Sequence, residues 1–268
     1  MITTFANYLR VNRGLSENTV RAYEQALHDF ASYVNDRHQG TTWRTVTKQM
    51  IDEYVVTMAA KEAAPASIKQ HVSALRTFFK TCQALGGKIG NPARYVSTPK
   101  LGEQLPKVIE AKAIREALND PTVSADAKAA IAIIYETGIR LQELLDLRAS
   151  DIDTGKQAIT VRGKGNKQRT VYYGELTQKY GTKWHGEQHT QRGVRHMVYT
   201  ALRPYSMAEQ LSPHALRHTY ASQLLNNGMS LTTISKLMGH KHQTTTEVYA
   251  KLATRTAQQQ YLRFRPTL

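Results

Sequence analysis

The hydrophobic period changes partway along the chain, and that change excludes a uniform architecture. In the first third, apolar side chains recur at three- and four-residue steps, the spacing that places them on one face of a helix. Ser16–Val34, SENTVRAYEQALHDFASYV, opens on a serine N-cap and aligns Val20, Tyr23, Leu27, Phe30 and Val34 in one stripe. Thr47–Ala60 repeats the pattern with Ile51, Tyr54, Val55 and Met58. Ser67 is placed to cap a third helix carrying Ile68, Val72, Leu75, Phe78 and Phe79, and a short opening helix adds Phe5, Tyr8 and Leu9. These segments predict a small helical bundle over residues 1–95. Gly86, Gly87, Gly90 and Pro92 end it. Residues 96–106, VSTPKLGEQLP, contain two prolines and no period, and are expected to link it to a second domain.

The second domain, residues 107–268, reads as mixed. Lys112–Leu118 and Ala125–Glu136 are helical, the latter strongly apolar, and a turn at Thr137-Gly138 leads into a further helix over Arg140–Leu147. The period then shifts to two. Ala158–Tyr173, AITVRGKGNKQRTVYY, has two β-prone arms around Gly-Lys-Gly-Asn, a hairpin signal. Gly174–Leu211 is polar and rich in Gly and His, so its helices should be short or replaced by loop; helices return from Gln191 and run almost to the end. The expected fold class is mainly α with a small antiparallel β-sheet.

Charge narrows the partner. Lys and Arg number 36 against 21 Asp and Glu, a formal net charge of +15. Residues 1–100 hold 13 basic and 7 acidic side chains and the remainder 23 and 14, so the surplus is not confined to a basic tail. Cations set against phosphates release condensed counterions, which makes nucleic acid the favoured partner. Cys82 is the only cysteine, so neither a disulfide within the chain nor a cysteine metal cage can form; its setting reads as a core thiol. No apolar run approaches the ~18 residues of a membrane span, and the N-terminus lacks the apolar region of a signal peptide, so no membrane association is expected and the cytoplasm is the expected compartment.

Four segments could carry chemistry. TGIRLQEL starts a helix with Arg140 and sets Glu143 one turn later. The hairpin tip carries Lys164 between glycines, then Lys167 and Arg169. In SPHALRHTYAS, Ser212 caps, Pro213 suits the first helical position, and His214, Arg217 and His218 share a face. In MGHKHQTTTEVYAKL, Gly239-His240 ends one helix and Tyr249 lies on the next. Each has a plainer reading. Arg140 with Glu143 is a common surface pair, and Lys164 a solvated turn residue. His214 with His218 is half a zinc site with no third ligand near it in sequence, and His185 with His189 repeats the spacing in a polar stretch. Tyr249 is one of 14 tyrosines, with Tyr220 and Tyr261 as rivals.

Taken together and in order, these segments resemble the tyrosine recombinases, in particular the Xer-like and integrase-type members. The resemblance runs from SENTVRAY to Tyr249. It implies a catalytic set of Arg140, Lys164, His214, Arg217, His240 and Tyr249, with Glu143 in support. It further implies a SAM-like core-site-binding bundle, a catalytic domain, and a C-shaped clamp of the two on double-stranded DNA that carries a specific recombination site. Four protomers would act on two sites through a Holliday junction, the tail after Tyr249 packing on a neighbour, and an accessory protein or second recombinase could take part. Arg21, Lys69, Arg76, Lys80, Lys167 and Arg169 are the candidate DNA contacts. The minimal two-domain form is expected, with no further arm-binding domain. Gly174–Leu211 is shorter than the corresponding family segment, which puts in question the DNA contacts carried there.

The chemistry of the set stands without the resemblance. Phosphodiester cleavage builds charge on the nonbridging oxygens, which forked guanidinium groups match bidentately. Arg140 and Arg217, on different helices, could clamp one phosphate. A lysine on a hairpin tip could protonate the leaving 5′-oxygen. Tyrosine, with an ordinary pKa near 10, needs a cationic pocket and a base such as His214. A phosphotyrosyl link conserves the energy of the broken bond. Neither a GxxxxGK[ST] loop nor an acidic metal cluster accompanies the basic residues, so no cofactor is expected. A type IB topoisomerase, which uses similar chemistry to relax supercoils, and a non-catalytic DNA-binding protein are the alternatives.

Overall fold

The computed structural model describes residues 1–99, 108–163 and 168–239. The chain divides into two compact units, Met1–Glu103 and Gln104–Leu268. The first contains α1 (Ile2–Val11), α2 (Glu17–Arg37), α3 (Lys48–Ala60) and α4 (Pro65–Ala84). Ser16 caps α2 as the sequence announces, accepting from the Thr19 amide, and Thr47 caps α3 in the same way, accepting from the Met50 amide. The Ser67 cap is not found. α4 begins at Pro65 rather than behind Ser67, because proline at the first helical position already has the right φ and forfeits no hydrogen bond. The stripes meet in a core of Phe5, Leu9, Val20, Leu27, Phe30, Ile51, Val72, Leu75, Phe78 and Phe79. Each large side chain fully buried there contributes about 1.5–3 kcal/mol. Trp43, between α2 and α3, closes the core with its ring 4.5 Å from that of Phe78. Cys82 is half-buried, packed against this core and lining a cavity with Met1, Phe5 and Leu85.

The second unit is built around α6 (Ala125–Thr137), a helix buried on nearly every face through Ala127, Ala129–Ile134 and Thr137. Around it pack α5 (Ala111–Asn119), α7 (Leu141–Leu145), α8 (Glu175–Tyr180), α9 (Gln191–Leu202) and α10 (Pro213–Asn226); α10 also carries α11 (Leu231–Met238). The hairpin arms form β2 (Ala158–Arg162) and β3 (Gln168–Tyr172), antiparallel with Ile159 opposite Val171 and Val161 opposite Arg169. A further strand, β1 (Ile152–Asp153), pairs with β2 and gives the order β1-β2-β3.

The polar 174–211 stretch is short but well anchored. Glu136, at the end of α6, accepts from the amides of Gly174, Leu176 and Thr177, satisfying the otherwise orphaned donors at the start of α8. Trp184 is fully buried and donates from Nε1 to the Leu144 carbonyl at 2.8 Å, with His189 stacked on its ring. No helix among the described residues is long and apolar enough to cross a membrane.

Candidate active site

Two helix ends in the left-handed conformation frame the site. α6 stops at Gly138, φ +62°, and the Tyr220 ring of α10 lies 2.2 Å from where a Cβ at 138 would stand, so only glycine fits. The chain reverses there and extends through Arg140, the N-cap residue of α7. Glu143, at the third position of α7, reaches back to the Arg140 amide at 2.7 Å, the acidic half of a capping box. The second end is that of α11, which stops at Gly239, φ +64°.

Glu143 is the hub. It is only 4% exposed. Besides the Arg140 amide it accepts Arg140 Nη1 at 2.9 Å, and from β3 it takes Arg169 as a fork, Nη1 at 2.6 Å and Nη2 at 2.9 Å. Burial pushes its carboxyl pKa up, but the Arg169 hydrogen bonds, the Arg140 amide and the two guanidinium charges outweigh that and hold it below the ordinary carboxylate value. Glu143 is therefore ionised at neutral pH.

These two guanidinium groups, joined by that of Arg217, converge on the end of α11. Arg169 Nε donates to the Leu237 carbonyl at 2.9 Å, Arg217 Nη2 to Met238 at 2.7 Å, and Arg140 Nη2 to Gly239 at 2.7 Å. Three successive carbonyls thus meet three arginines from three different elements. The last carbonyls of a helix have no partner inside it and carry the negative end of its dipole, so this end is a natural counter-charge for cations. Arg217, 5% exposed, also donates from Nη1 to the Gly138 carbonyl and so ties the two helix ends together. A Cβ at Gly239 would stand 3.0 Å from the Arg169 guanidinium.

His214 lies in the first turn of α10, behind Ser212, which accepts from the Ala215 amide, and Pro213 at the first position. It is exposed on the helix face, and its Nε2 is 2.8 Å from that of His218, the rings edge-on at 4.2 Å. Desolvation, then the Arg217 charge, lowers the His214 pKa, which favours a neutral ring able to accept a proton near neutral pH. Among the described residues no group of three His, Cys, Asp or Glu could hold a metal ion.

The structure thus brings Arg140, Glu143 and Arg217 together, with His214 one turn from Arg217. Lys164, Lys167, His240 and Tyr249 lie outside the described residues. Two of the candidate DNA contacts are held by groups of the chain itself. Arg76 donates to the Ala93 and Val96 carbonyls, bracing the segment that follows α4. Arg169 faces inward and is committed to Glu143 and Leu237. Arg21 is exposed and pairs with Glu17 at 3.4 Å, while Lys69 and Lys80 stand exposed on α4. The α11 carbonyls and the inward role of Arg169 were not anticipated from sequence. A signal for the second existed: in QRTVY, Arg169 and Val171 are two apart, so they share a face of the strand, and Val171 is core.

Comparison with known proteins accords with this geometry. The family model described as phage integrase, N-terminal SAM-like domain, matches residues 2–84, and that of the phage integrase family matches residues 107–186 and 176–255. Tyrosine recombinase XerC of Listeria innocua serovar 6a is 29% identical, covering 98% of this chain and 96% of its own. Tyrosine recombinase XerD of Oceanobacillus iheyensis is 26% identical, covering 99% and 98%. Among solved structures, the Tn1549 transposon integrase in complex with transposon right end DNA superposes with a TM-score of 0.75 at 19% identity, covering 99% of each chain. The XerH site-specific recombinase bound to a palindromic difH substrate gives 0.75 at 17% identity, covering 97% of this chain and 83% of that one. These likenesses show a shared fold, and with the phage integrase model matched over more than half its length, the chain belongs to the phage integrase family, the tyrosine recombinases.

Proposed function

We propose that the chain is a site-specific DNA recombinase that cuts and rejoins duplex DNA through a covalent 3′-phosphotyrosyl link to Tyr249. The observation that carries this reading is the convergence of Arg140, itself held by Glu143, and Arg217 on the last turn of α11, the turn that leads directly to His240 and, nine residues on, Tyr249. Arg140, whose side chain is 41% exposed, and Arg217 beside it supply positive charge for the scissile phosphate. The Tyr249 oxygen attacks phosphorus, its proton passing to His214. The bond to the 5′-oxygen breaks as Lys164 protonates that oxygen, and His240 completes the phosphate contacts. Attack by a 5′-hydroxyl of the partner strand reverses the steps, so exchange proceeds through a Holliday junction without a high-energy cofactor. Residues 1–95 hold the core site, with Arg21, Lys69 and Lys80 on phosphates; residues 107–268 do the chemistry. Four protomers on two sites, working on cytoplasmic DNA, complete the reading. The relatives' names and the DNA complexes of the solved neighbours support it.

The test uses a duplex selected by the purified chain from genomic fragments, nicked next to the cut position so that the product cannot religate. The wild-type chain should give a protein–DNA adduct stable to denaturing electrophoresis, in EDTA and without nucleotide, and Tyr249→Phe should bind the duplex but form none. Loss of the adduct on chelation would overturn the mechanism. Relaxation of supercoiled plasmid without strand exchange would make the chain a topoisomerase instead.

A further inference from the structure

The proposed chemistry leaves Arg169 without a task, although it is one of the arginines gathered at the end of α11. All three of its guanidinium nitrogens are engaged, Nη1 and Nη2 on the two oxygens of Glu143 and Nε on the Leu237 carbonyl. Its side chain is only 16% exposed. It sits on β3, 26 residues from Glu143 and 68 from Leu237. One planar group therefore fixes two separate parts of the site, the Glu143 carboxylate that orients Arg140 and the end of α11 that receives Arg140 and Arg217.

We infer that Arg169 is a positioning residue for the phosphate-binding arginines, acting through Glu143 and the last turn of α11. Electrostatics gives the first reason. Glu143 carries one negative charge and faces two guanidinium groups; with Arg169 present, Arg140 shares that carboxylate and keeps surplus positive charge. Without Arg169, the buried Glu143 carboxylate neutralises Arg140 alone. Geometry gives the second. A lysine offers a point charge on a flexible stem and cannot form the fork to a carboxylate and a third bond to a carbonyl together. Steric fit gives the third. A side chain at Gly239 would press on this guanidinium at 3.0 Å, so the α11 end and Arg169 are fitted to each other.

The inference rests on the reading of the chain as a recombinase, and two measurements keep the two apart. Covalent adduct formation is followed in single turnover at saturating nicked duplex. Arg169→Ala should slow it by about 10²-fold, the scale of a misplaced catalytic group, with DNA affinity changed only a few-fold. Arg169→Lys should stay close to Arg169→Ala, and in a Glu143→Gln background Arg169→Ala should cost little more, since both changes break one unit. Losses that multiply, full rescue by lysine, or a defect wholly in affinity would overturn the inference. The second measurement needs no activity. In chains labelled with 15N-arginine, the wild type should show restricted rotation of the Arg140 guanidinium, and Arg169→Ala should release it. Arg162, held by Asp151 at 2.6 Å in the same unit, should stay restricted and report an intact fold. An Arg140 signal that stays restricted in Arg169→Ala would overturn the inference. A wild-type chain that gave no adduct would sink the recombinase reading and leave this second test in force.

Discussion

The two units use the same residue types in opposite ways. In the first, Arg21, Lys69 and Lys80 stand on helix faces in water, Arg21 with an i,i+4 glutamate for company. In the second, Arg140, Arg169 and Arg217 are gathered within reach of one carboxylate and one helix end. Exposed cations cost nothing to hold and supply affinity for any polyanion. Gathered cations repel one another and lose solvation, so they persist only where fixed acceptors compensate. Glu143 and the carbonyls of Leu237, Met238 and Gly239 are those acceptors. On the proposed function, the contrast separates a surface that follows a DNA backbone from a site that grips one phosphate.

Substitutions in the gathered cluster should therefore act on chemistry and folding, and those on the first unit on affinity alone. The largest effect belongs to Arg217→Ala. It should lower the rate of adduct formation by about 10²–10³-fold at saturating DNA, measured on the nicked duplex. It also severs the tie between Gly138 and Met238. A loss confined to affinity would erase the distinction between the units.

Next is Glu143→Gln. Breaking a buried hydrogen-bonded charge network costs about 3–5 kcal/mol, which urea unfolding of the second unit should register. Acid sharpens the point. The folded Glu143 pKa is depressed, so its contribution is present above the unfolded value near 4.3 and is lost as pH falls through the folded value. The wild-type second unit should lose stability over that window, and Glu143→Gln should remove part of the dependence. An unchanged acid profile would mean that Glu143 is not the hub.

A smaller effect follows from Gly239→Ala. A residue with a Cβ at φ +64° costs roughly 1 kcal/mol, and the Arg169 guanidinium must give way. Melting should fall modestly while adduct formation slows more than stability alone explains. Smallest is Lys69→Ala or Lys80→Ala. Each should leave the rate at saturating DNA unchanged and reduce the slope of log affinity against log salt by about 1. A rate effect from either would place the first unit in the chemistry.

Much of this division was legible in the residues, and what was not has a physical cause. The bundle core, the Ser16 and Ser212 caps, the turn at Gly138 and the helix end at Gly239 follow from local rules, so sequence reveals them. Arg140 and Glu143 are three apart and were readable as a pair. The rest of the cluster depends on contacts across long sequence separations, and most of its acceptors are backbone carbonyls. A carbonyl is the same whatever residue bears it, so no motif announces Leu237 or Met238 as a partner. Strand β1 is two residues long, too short for a period to show. The inward turn of Arg169 could have been inferred from its alternation with Val171, but a charge beside a hairpin tip reads more readily as a surface group.

The central claim is that the clustered arginines serve a tyrosine that bonds covalently to DNA, and mass spectrometry of the DNA-linked peptide tests it most directly. After trapping on the nicked duplex, digestion should yield one nucleotide-bearing peptide, containing Tyr249. A nucleotide on Tyr220, on Tyr261 or on no peptide at all would contradict the account.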